Sequence, residues 1–193
     1  MANVRLGAKA VGSIVKIKVN GASKDFIVVQ QGNPNTSTYD SSCAGTWLLM
    51  KDIYTTSTFG NNNSYKDSSI HTYLNGTFYN LIDSDIRAAI KQVKIPYLNG
   101  TGGGDGSLAT GANGLSTKVF LLSGYEVGWA HNALPKDGAK LDYFGSGSGG
   151  NAPCGRRCDR YSSNTRRTEE QRCWRYHQTL RTEFSGNKQK QRE

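Results

Sequence analysis

The sequence has few cysteines, few prolines and no long apolar run. Its 193 residues include 4 Cys, 4 Pro and 2 Met. No stretch approaches the roughly 18 consecutive apolar residues of a membrane-spanning helix, so we expect no membrane insertion. Residues 1–19 contain no uninterrupted apolar region of the kind found in signal peptides. We therefore expect synthesis in the cytoplasm without a cleaved signal.

The sequence also lacks the motifs of the common catalytic sites. The Gly-rich residues 100–107 have no Lys-Ser/Thr pair of a phosphate-binding loop. His71, expected to be exposed, and His131 have no partner at the spacing of a catalytic triad or a metal site. Cys43 is expected to be a small buried residue or a bystander rather than a nucleophile. We therefore expect a protein that is not an enzyme and has no cofactor. Calcium is an alternative, although Asp105 is one carboxylate where a calcium loop has several.

The positive charge is concentrated at the C-terminal end. The net charge is +9, and residues 153–193 contribute +6 of it, with eleven Lys/Arg against five Asp/Glu. Arginines with aromatic residues between them are typical of nucleic-acid binding by charge and stacking. Association with nucleic acid through residues 153–193 is therefore an alternative function.

Residues 153–193 differ from the rest in a second way, because they contain almost no aliphatic side chains. Leu180 is the only Leu after Asn151, and no Ile, Val or Met follows. Such a segment buries too little apolar surface to offset its loss of conformational entropy. We predict an α+β domain over 1–152 and an irregular tail over 153–193. The tail contains a set of residues that resembles the ligands of a zinc site: Cys154, Cys158, Cys173 and His177. Unpaired cysteines are the alternative.

Strand patterns dominate the first 54 residues. Residues 13–19 alternate apolar and polar side chains, and residues 24–32 follow across Asn20-Gly21. An Asn-Gly pair between two such runs predicts a β-hairpin. Residues 46–54 predict a third, buried strand.

From Ser68 the apolar period becomes helical. Ile70, Tyr73 and Leu74 are followed, after Asp83-Ser84, by Ile86, Ile90 and Val93 at helical spacing. These patterns predict two short helices, the second capped by Ser84 and ending before Pro96. Residues 98–114 are Gly-rich and without period, which predicts a surface loop. The expected fold is a small antiparallel sheet with two short helices and long Gly/Asn/Ser-rich loops.

Four segments carry a resemblance to a known family. They are GTWLLMKDIY, YKDSSIHTYLNGTFYNLIDSDIRAAIKQVKIPY, GLSTKVFLLSGYEVG and DGAKLDYF, within residues 10–150. The chain resembles a domain of unknown function found in phages and prophages of Gram-positive gut bacteria and in multidomain bacterial surface proteins. The resemblance implies a C-type-lectin-like fold, of the broad group that includes formylglycine-generating-enzyme-type domains. It also implies a location in a virion or on an extracellular surface.

The chain departs from this family after residue 150. Family members continue into a W-x-L-R-S-P-type motif and closing strands, whereas the nearest segment here is Cys173-Trp174-Arg175-Tyr176. One hypothesis is that residues from about 151–153 onward are translated out of frame. A divergent but native basic tail is the alternative.

The family's activity is uncharacterised, so the resemblance implies a fold and a setting more than a function; by analogy with that fold we expect a non-enzymatic recognition module that is virion-associated or part of a bacterial surface protein. Its partners would be a host-surface glycan or protein and other virion proteins. Tyr, Asn, Ser and Gly, which are typical of adaptable recognition surfaces, are concentrated in loops 33–45, 55–67 and 99–116. We call these three loops the loop face. The candidate ligand-binding residues are Tyr39, Asn61, Asn62, Asn63, Tyr65, Asp105 and Trp129.

Overall fold

The dipeptide Asn20-Gly21 closes the first β-hairpin, as the sequence predicts. In the computed structural model both residues have positive φ, 51° for Asn20 and 74° for Gly21, which is the backbone of a tight two-residue turn. The turn joins β1 (Ile14–Val19) to β2 (Ala22–Gln31), which pair antiparallel.

The structure describes residues 6–59, 64–99, 107–128, 136–145, 173–175 and 179–182. Nine further strands lie in this part of the chain. They are β3 (Thr46–Met50), β4 (Thr56–Thr58), β5 (Val93–Ile95), β6 (Tyr97–Asn99), β7 (Ser107–Ala109), β8 (Leu115–Thr117), β9 (Val119–Phe120), β10 (Cys173–Arg175) and β11 (Thr179–Thr182).

Five of the strands form one antiparallel sheet in the order β1-β2-β3-β11-β9. Three two-stranded sheets complete the architecture, β4 with β10, β5 with β8 and β6 with β7. With the short helices this is an α+β fold, as predicted. In the described residues no helix is both long enough and apolar enough to cross a membrane.

The core lies against β2 and β3. All five residues of β3 are buried, and Trp47 packs its ring edge-on against Phe120 at 5.3 Å between centroids. Trp47 Nε1 donates to the main-chain oxygen of Cys43 at 3.0 Å, so the one polar atom of this ring is satisfied inside the core. The predicted buried strand is therefore confirmed for Thr46–Met50, whereas residues 51–54, which were predicted to continue it, lie outside the strand and Ile53 is exposed.

The helical region begins at Ser68, whose hydroxyl accepts a hydrogen bond from the His71 N–H at 3.2 Å. Helix α1 (Ser69–Tyr73) continues through a π-helical turn, Leu74–Phe78, into α2 (Tyr79–Leu81). The period of apolar residues predicted a helix here, but not its π-helical turn.

The second predicted helix is shorter than expected and begins without the predicted cap. It is α3 (Ser84–Ala89), so Ser84 is its first residue and not its cap. Ile82 pairs with Val19 in an isolated β-bridge, which keeps the chain extended up to Asp83. Val93 lies in β5 and pairs with Thr117. Pairing with β8 therefore overrides the helical spacing of Val93, and the helix does end before Pro96.

The Gly-rich segment 98–114 was expected to be a surface loop. It is not loop throughout, because β6 and β7 pair across it, with Tyr97 opposite Ala109.

The tail, residues 153–193, was expected to be irregular, but it contains the two strands β10 and β11. β10 pairs with β4, and β11 lies between β3 and β9. Main-chain N–H and C=O groups carry this pairing, and a low content of aliphatic side chains in a sequence does not by itself exclude it.

Candidate functional site

The described parts of the loop face are anchored close together. Loop 33–45 joins β2 to β3, loop 55–67 leads into α1, and loop 99–116 contains β7. Each of them is tied, directly or through a neighbouring loop, to the segment that follows β9, residues 121–126. The ties at Tyr39 and Tyr65 are buried side-chain hydrogen bonds, and the tie between Gly111 and Thr38 is a backbone hydrogen bond.

Tyr39 is the first of these anchors. Its hydroxyl donates to Glu126 Oε1 at 2.7 Å and accepts a hydrogen bond from the Ala139 N–H at 2.9 Å. Its ring packs edge-on against Trp47, with 5.6 Å between centroids. Only 2% of Tyr39 is exposed. Tyr39 was predicted to bind ligand, but in the structure its hydroxyl and its ring are both used inside the protein.

Glu126 is the acceptor at the centre of this arrangement, and it is fully buried. Its second oxygen, Oε2, accepts from the Ser123 N–H at 2.7 Å, and its own N–H donates to the Ser123 hydroxyl at 3.1 Å. The Leu141 N–H donates to the Glu126 main-chain oxygen at 2.9 Å. A buried carboxylate needs such partners to offset its desolvation. Glu126 was not among the predicted site residues, although an acidic residue inside the mostly apolar segment 119–127 is an available signal.

Gly138 shows how tightly this cluster is packed. A Cβ atom at that position would lie 2.6 Å from both Glu126 Cγ and the Tyr39 hydroxyl oxygen. The close approach of the 136–141 backbone to the Tyr39–Glu126 pair therefore requires glycine.

Tyr65 is the anchor of loop 55–67. It is 3% exposed, and its hydroxyl accepts a hydrogen bond from the Leu121 N–H at 2.9 Å. Its ring packs edge-on against His71, with 5.2 Å between centroids. Tyr65 was also predicted to bind ligand, but its hydroxyl and its ring are likewise used inside the protein. His71 was expected to be exposed, and its packing against this ring makes it half-buried.

Loop 99–116 meets loop 33–45 through the backbone. The Gly111 N–H donates to the Thr38 main-chain oxygen at 3.0 Å, beside a parallel bridge between Tyr39 and Gly111. Lys94 Nζ donates to the Ala112 main-chain oxygen at 2.9 Å. The anchor at Tyr39 therefore positions two loops together.

The polar residues of loop 33–45 hold their own backbone in turns. Asn33 Oδ1 accepts from the Asn35 N–H at 3.0 Å, and Asn35 Oδ1 accepts from the Ser37 N–H at 3.0 Å. Asp40 Oδ1 accepts from the Ser42 N–H at 2.8 Å and caps the short 3₁₀ helix Ser41–Cys43. These are Asx turns, in which a side chain replaces a backbone acceptor. The loop is therefore preorganised, while Asn35 and Ser37 stay exposed.

The pKa of the Asp40 carboxyl predicts how this loop responds to acid. Hydrogen bonds from Ser42, its hydroxyl first and then its N–H, lower the pKa of Asp40, and Lys94 lowers it further. Because the charged carboxylate is favoured in the folded state, its contribution is present above about pH 4 and is lost as pH falls through the lowered value. We expect an NMR titration of Asp40 to show this lowered pKa, and Asp40→Asn to remove the acid-dependent change at Ser42. A Ser42 amide signal that titrates alike in both proteins would contradict this.

The other candidate ligand-binding residues lie outside the described part of the chain. They are Asn61, Asn62, Asn63, Asp105 and Trp129. Their neighbours in sequence are described on one or both sides, at Phe59 and Ser64, at Ser107, and at Gly128. These five candidates stay predictions.

Most of the candidate zinc ligands also lie outside the described part of the chain. Cys154, Cys158 and His177 lie outside the described residues, and of Cys173 only the strand position in β10 is described. Cys43 is buried, and its Sγ donates to the Lys94 main-chain oxygen at 3.2 Å, so it packs as a small core residue, as expected. Among the residues the structure covers, no group of three His, Cys, Asp or Glu could hold a metal ion.

One protein family matches the chain. The sequence profile of a domain of unknown function (DUF6273) matches residues 44–187, and this range crosses the boundary predicted at residue 152. Neither the curated proteins nor the solved structures include a significant match.

Proposed function

Since the chain belongs to this family of domains of unknown function, we propose that it is a non-enzymatic recognition module that binds a glycan or protein on a host-cell surface. The observation that carries the proposal is the anchoring of the loop face. Loop 33–45 presents exposed Asn, Ser and Thr side chains on a backbone held by its own Asx turns and by Tyr39. Preorganised polar loops lose little entropy on binding, which favours affinity.

Carbohydrate is the ligand class that these side chains suit best. Asn amides and Ser hydroxyls both donate and accept hydrogen bonds, as sugar hydroxyls do. Asn35 and Ser37 are exposed in loop 33–45, and Asn113 is exposed in the adjoining loop. Glu126, in contrast, is fully buried with both carboxylate oxygens bonded, so it is not placed to act as a general base on a ligand.

The biological setting that we propose follows from the resemblance in sequence. It is a phage or prophage virion, as a tail or baseplate accessory protein, or a bacterial surface protein with a C-type-lectin-like domain. Other virion proteins would then be partners, with no insertion into a membrane.

Binding is tested by removing polar side chains at the loop tips. We expect Ser37→Ala and Asn113→Ala, combined in the full chain with Asn61→Ala, Asn62→Ala, Asn63→Ala and Asp105→Ala, to weaken binding at least about tenfold, because each lost hydrogen bond contributes about 1 kcal/mol. The measurement is binding to a glycan array and to bacterial cell-wall preparations.

The matched control lies at the opposite end of β2. Lys18→Ala with Ser23→Ala changes exposed residues beside the Asn20-Gly21 turn, about 30 Å along the strand from loop 33–45. This control should bind as the unmodified chain does. Unchanged binding by the loop variant would contradict the proposed function.

The concentration of basic residues in 153–193 supports nucleic-acid association as the second candidate. Deleting this segment would not test it cleanly, since the deletion removes β10 and β11 from their sheets. Replacing Arg156, Arg157, Arg166 and Arg167 by Gln keeps both strands. If nucleic acid is the ligand, its affinity should fall steeply with salt in the native chain and much less in this variant.

A further inference from the structure

Two cationic side chains face the ring of Tyr79. Lys118 Nζ lies 4.5 Å from the ring centroid, and the guanidinium carbon of Arg87 lies 5.9 Å from it. Both distances are within the range of cation–π attraction. The two charges are therefore within about 10 Å of each other, close to the Debye length at 0.1 M salt, so each feels the other.

Both cations keep hydrogen-bond donors for a further partner. Lys118 Nζ uses one of its three donors on the Tyr79 hydroxyl at 3.0 Å. Arg87 uses Nη1 on the Asn80 side-chain and main-chain oxygens, at 3.2 and 3.3 Å, which leaves Nη2 and Nε. Within the described part of the chain, neither cation forms an ion pair with a carboxylate.

The backbone around these side chains holds them in place. The Tyr79 hydroxyl donates to the Arg87 main-chain oxygen at 3.2 Å, which ties α2 to α3. Asn75 Oδ1 accepts from the Lys118 N–H at 2.8 Å, which ties the β8–β9 connection to the π-helical turn. All three side chains are half-buried, so they are partly ordered yet reachable from solvent.

We propose that Lys118, Arg87 and Tyr79 form a binding site for an anionic group, a carboxylate or a phosphate, of an acidic glycan. The anion would accept a hydrogen bond from Lys118 Nζ, and Arg87 would add a second positive charge within about 10 Å of it. The charge of the anion would also relieve the repulsion between the two cations, and charge-assisted hydrogen bonds are the strong ones in proteins. Assigning the anion to a glycan rests on the proposed function, whereas the anion site itself does not.

Two small anions test the site, and comparing them distinguishes a carboxylate ligand from a phosphate ligand. D-Glucuronate supplies a carboxylate on a sugar, and glycerol 3-phosphate supplies a phosphate. Each is titrated into the full chain with ¹³C-labelled tyrosine rings, and the Tyr79 signal is assigned with Tyr79→Phe. We expect one or both anions to shift the Tyr79 signal, and Lys118→Gln to raise the apparent Kd at least about tenfold, as for loss of one charge-assisted hydrogen bond.

Three comparisons keep the result interpretable. Lys118→Arg keeps the charge and should bind within about threefold of the native chain, which separates loss of the cation from loss of folding. Lys16→Gln removes one positive charge from the Lys16–Asp25 ion pair on the β1–β2 hairpin and should leave the Kd unchanged. Sodium chloride at the same ionic strength should not shift Tyr79.

The proposal is overturned if neither anion shifts Tyr79 beyond the chloride control, or if Lys118→Gln binds as the native chain does. The outcome is independent of the glycan-array result. Anion binding without glycan binding would contradict the proposed function alone, and glycan binding without an anion effect would contradict this site alone.

Discussion

Replacing Tyr39 by phenylalanine is expected to lower the free energy of unfolding by about 2–4 kcal/mol, because a buried charged group then loses a partner. The substitution keeps the ring and its packing against Trp47. It removes the hydroxyl that donates to Glu126 Oε1 and accepts from the Ala139 N–H. No solvent reaches Glu126 to replace that donor, since the residue is fully buried.

The measurement is urea-induced unfolding, with Tyr143→Phe as the matched control. Tyr143 is half-buried with its ring packed against Phe144, and its hydroxyl bonds to no described residue. The control should change stability by no more than about 0.5 kcal/mol. Equal losses for the two variants would show that Tyr39 acts through its ring alone, and the anchoring of loop 33–45 by Glu126 would be wrong.

Asn75→Ala is expected to cost about 2–4 kcal/mol, the second large effect, because it leaves several backbone groups without partners. Asn75 Oδ1 accepts from the N–H groups of Lys118 and Val119, at 2.8 and 3.2 Å. Its Nδ2 donates to the main-chain oxygens of Val119 and His71, at 2.9 and 3.1 Å. One side chain therefore joins the π-helical turn to the start of β9. The loss should appear as a lower urea midpoint.

Asn113→Ala is the matched control, because Asn113 is exposed and its side chain bonds to no described residue. It should be neutral within about 0.5 kcal/mol. Asn75→Asp should not restore stability, since its second carboxylate oxygen would face the main-chain oxygens of Val119 and His71 in place of Nδ2. An alanine variant as stable as the native chain would mean that water replaces all of these hydrogen bonds.

The elements that could be predicted are those specified by neighbouring residues. Asn20-Gly21 closes a hairpin because both residues adopt positive φ at low cost, and the helical spacing of apolar residues after Ser68 predicts a helix there. The buried strand at Thr46–Met50 follows from a continuous apolar run. Each of these signals lies within a few residues of the structure it specifies.

The candidate site could not be predicted in the same way. Tyr39 and Glu126 are 87 residues apart, and no local pattern pairs them. Because the loop around Tyr39 is rich in Asn and Ser, Tyr39 was expected to face water. Its hydroxyl instead donates a hydrogen bond to the buried carboxylate of Glu126. The burial of Tyr65 was not predicted for the same reason, since its hydroxyl accepts a hydrogen bond from the distant Leu121 N–H. Burial of a tyrosine depends on a distant partner, which composition does not reveal.

The position of β11 has a consequence for how the chain folds during synthesis. Thr179 pairs with Leu49 on one side and with Phe120 on the other, so the last strand of the main sheet enters its middle and not its edge. Until residue 182 has left the ribosome, β3 and β9 each present an unpaired edge to other nascent chains. Contacts of such long sequence separation form late and slowly. We therefore expect a chain that terminates before β11 to aggregate more readily than the full chain.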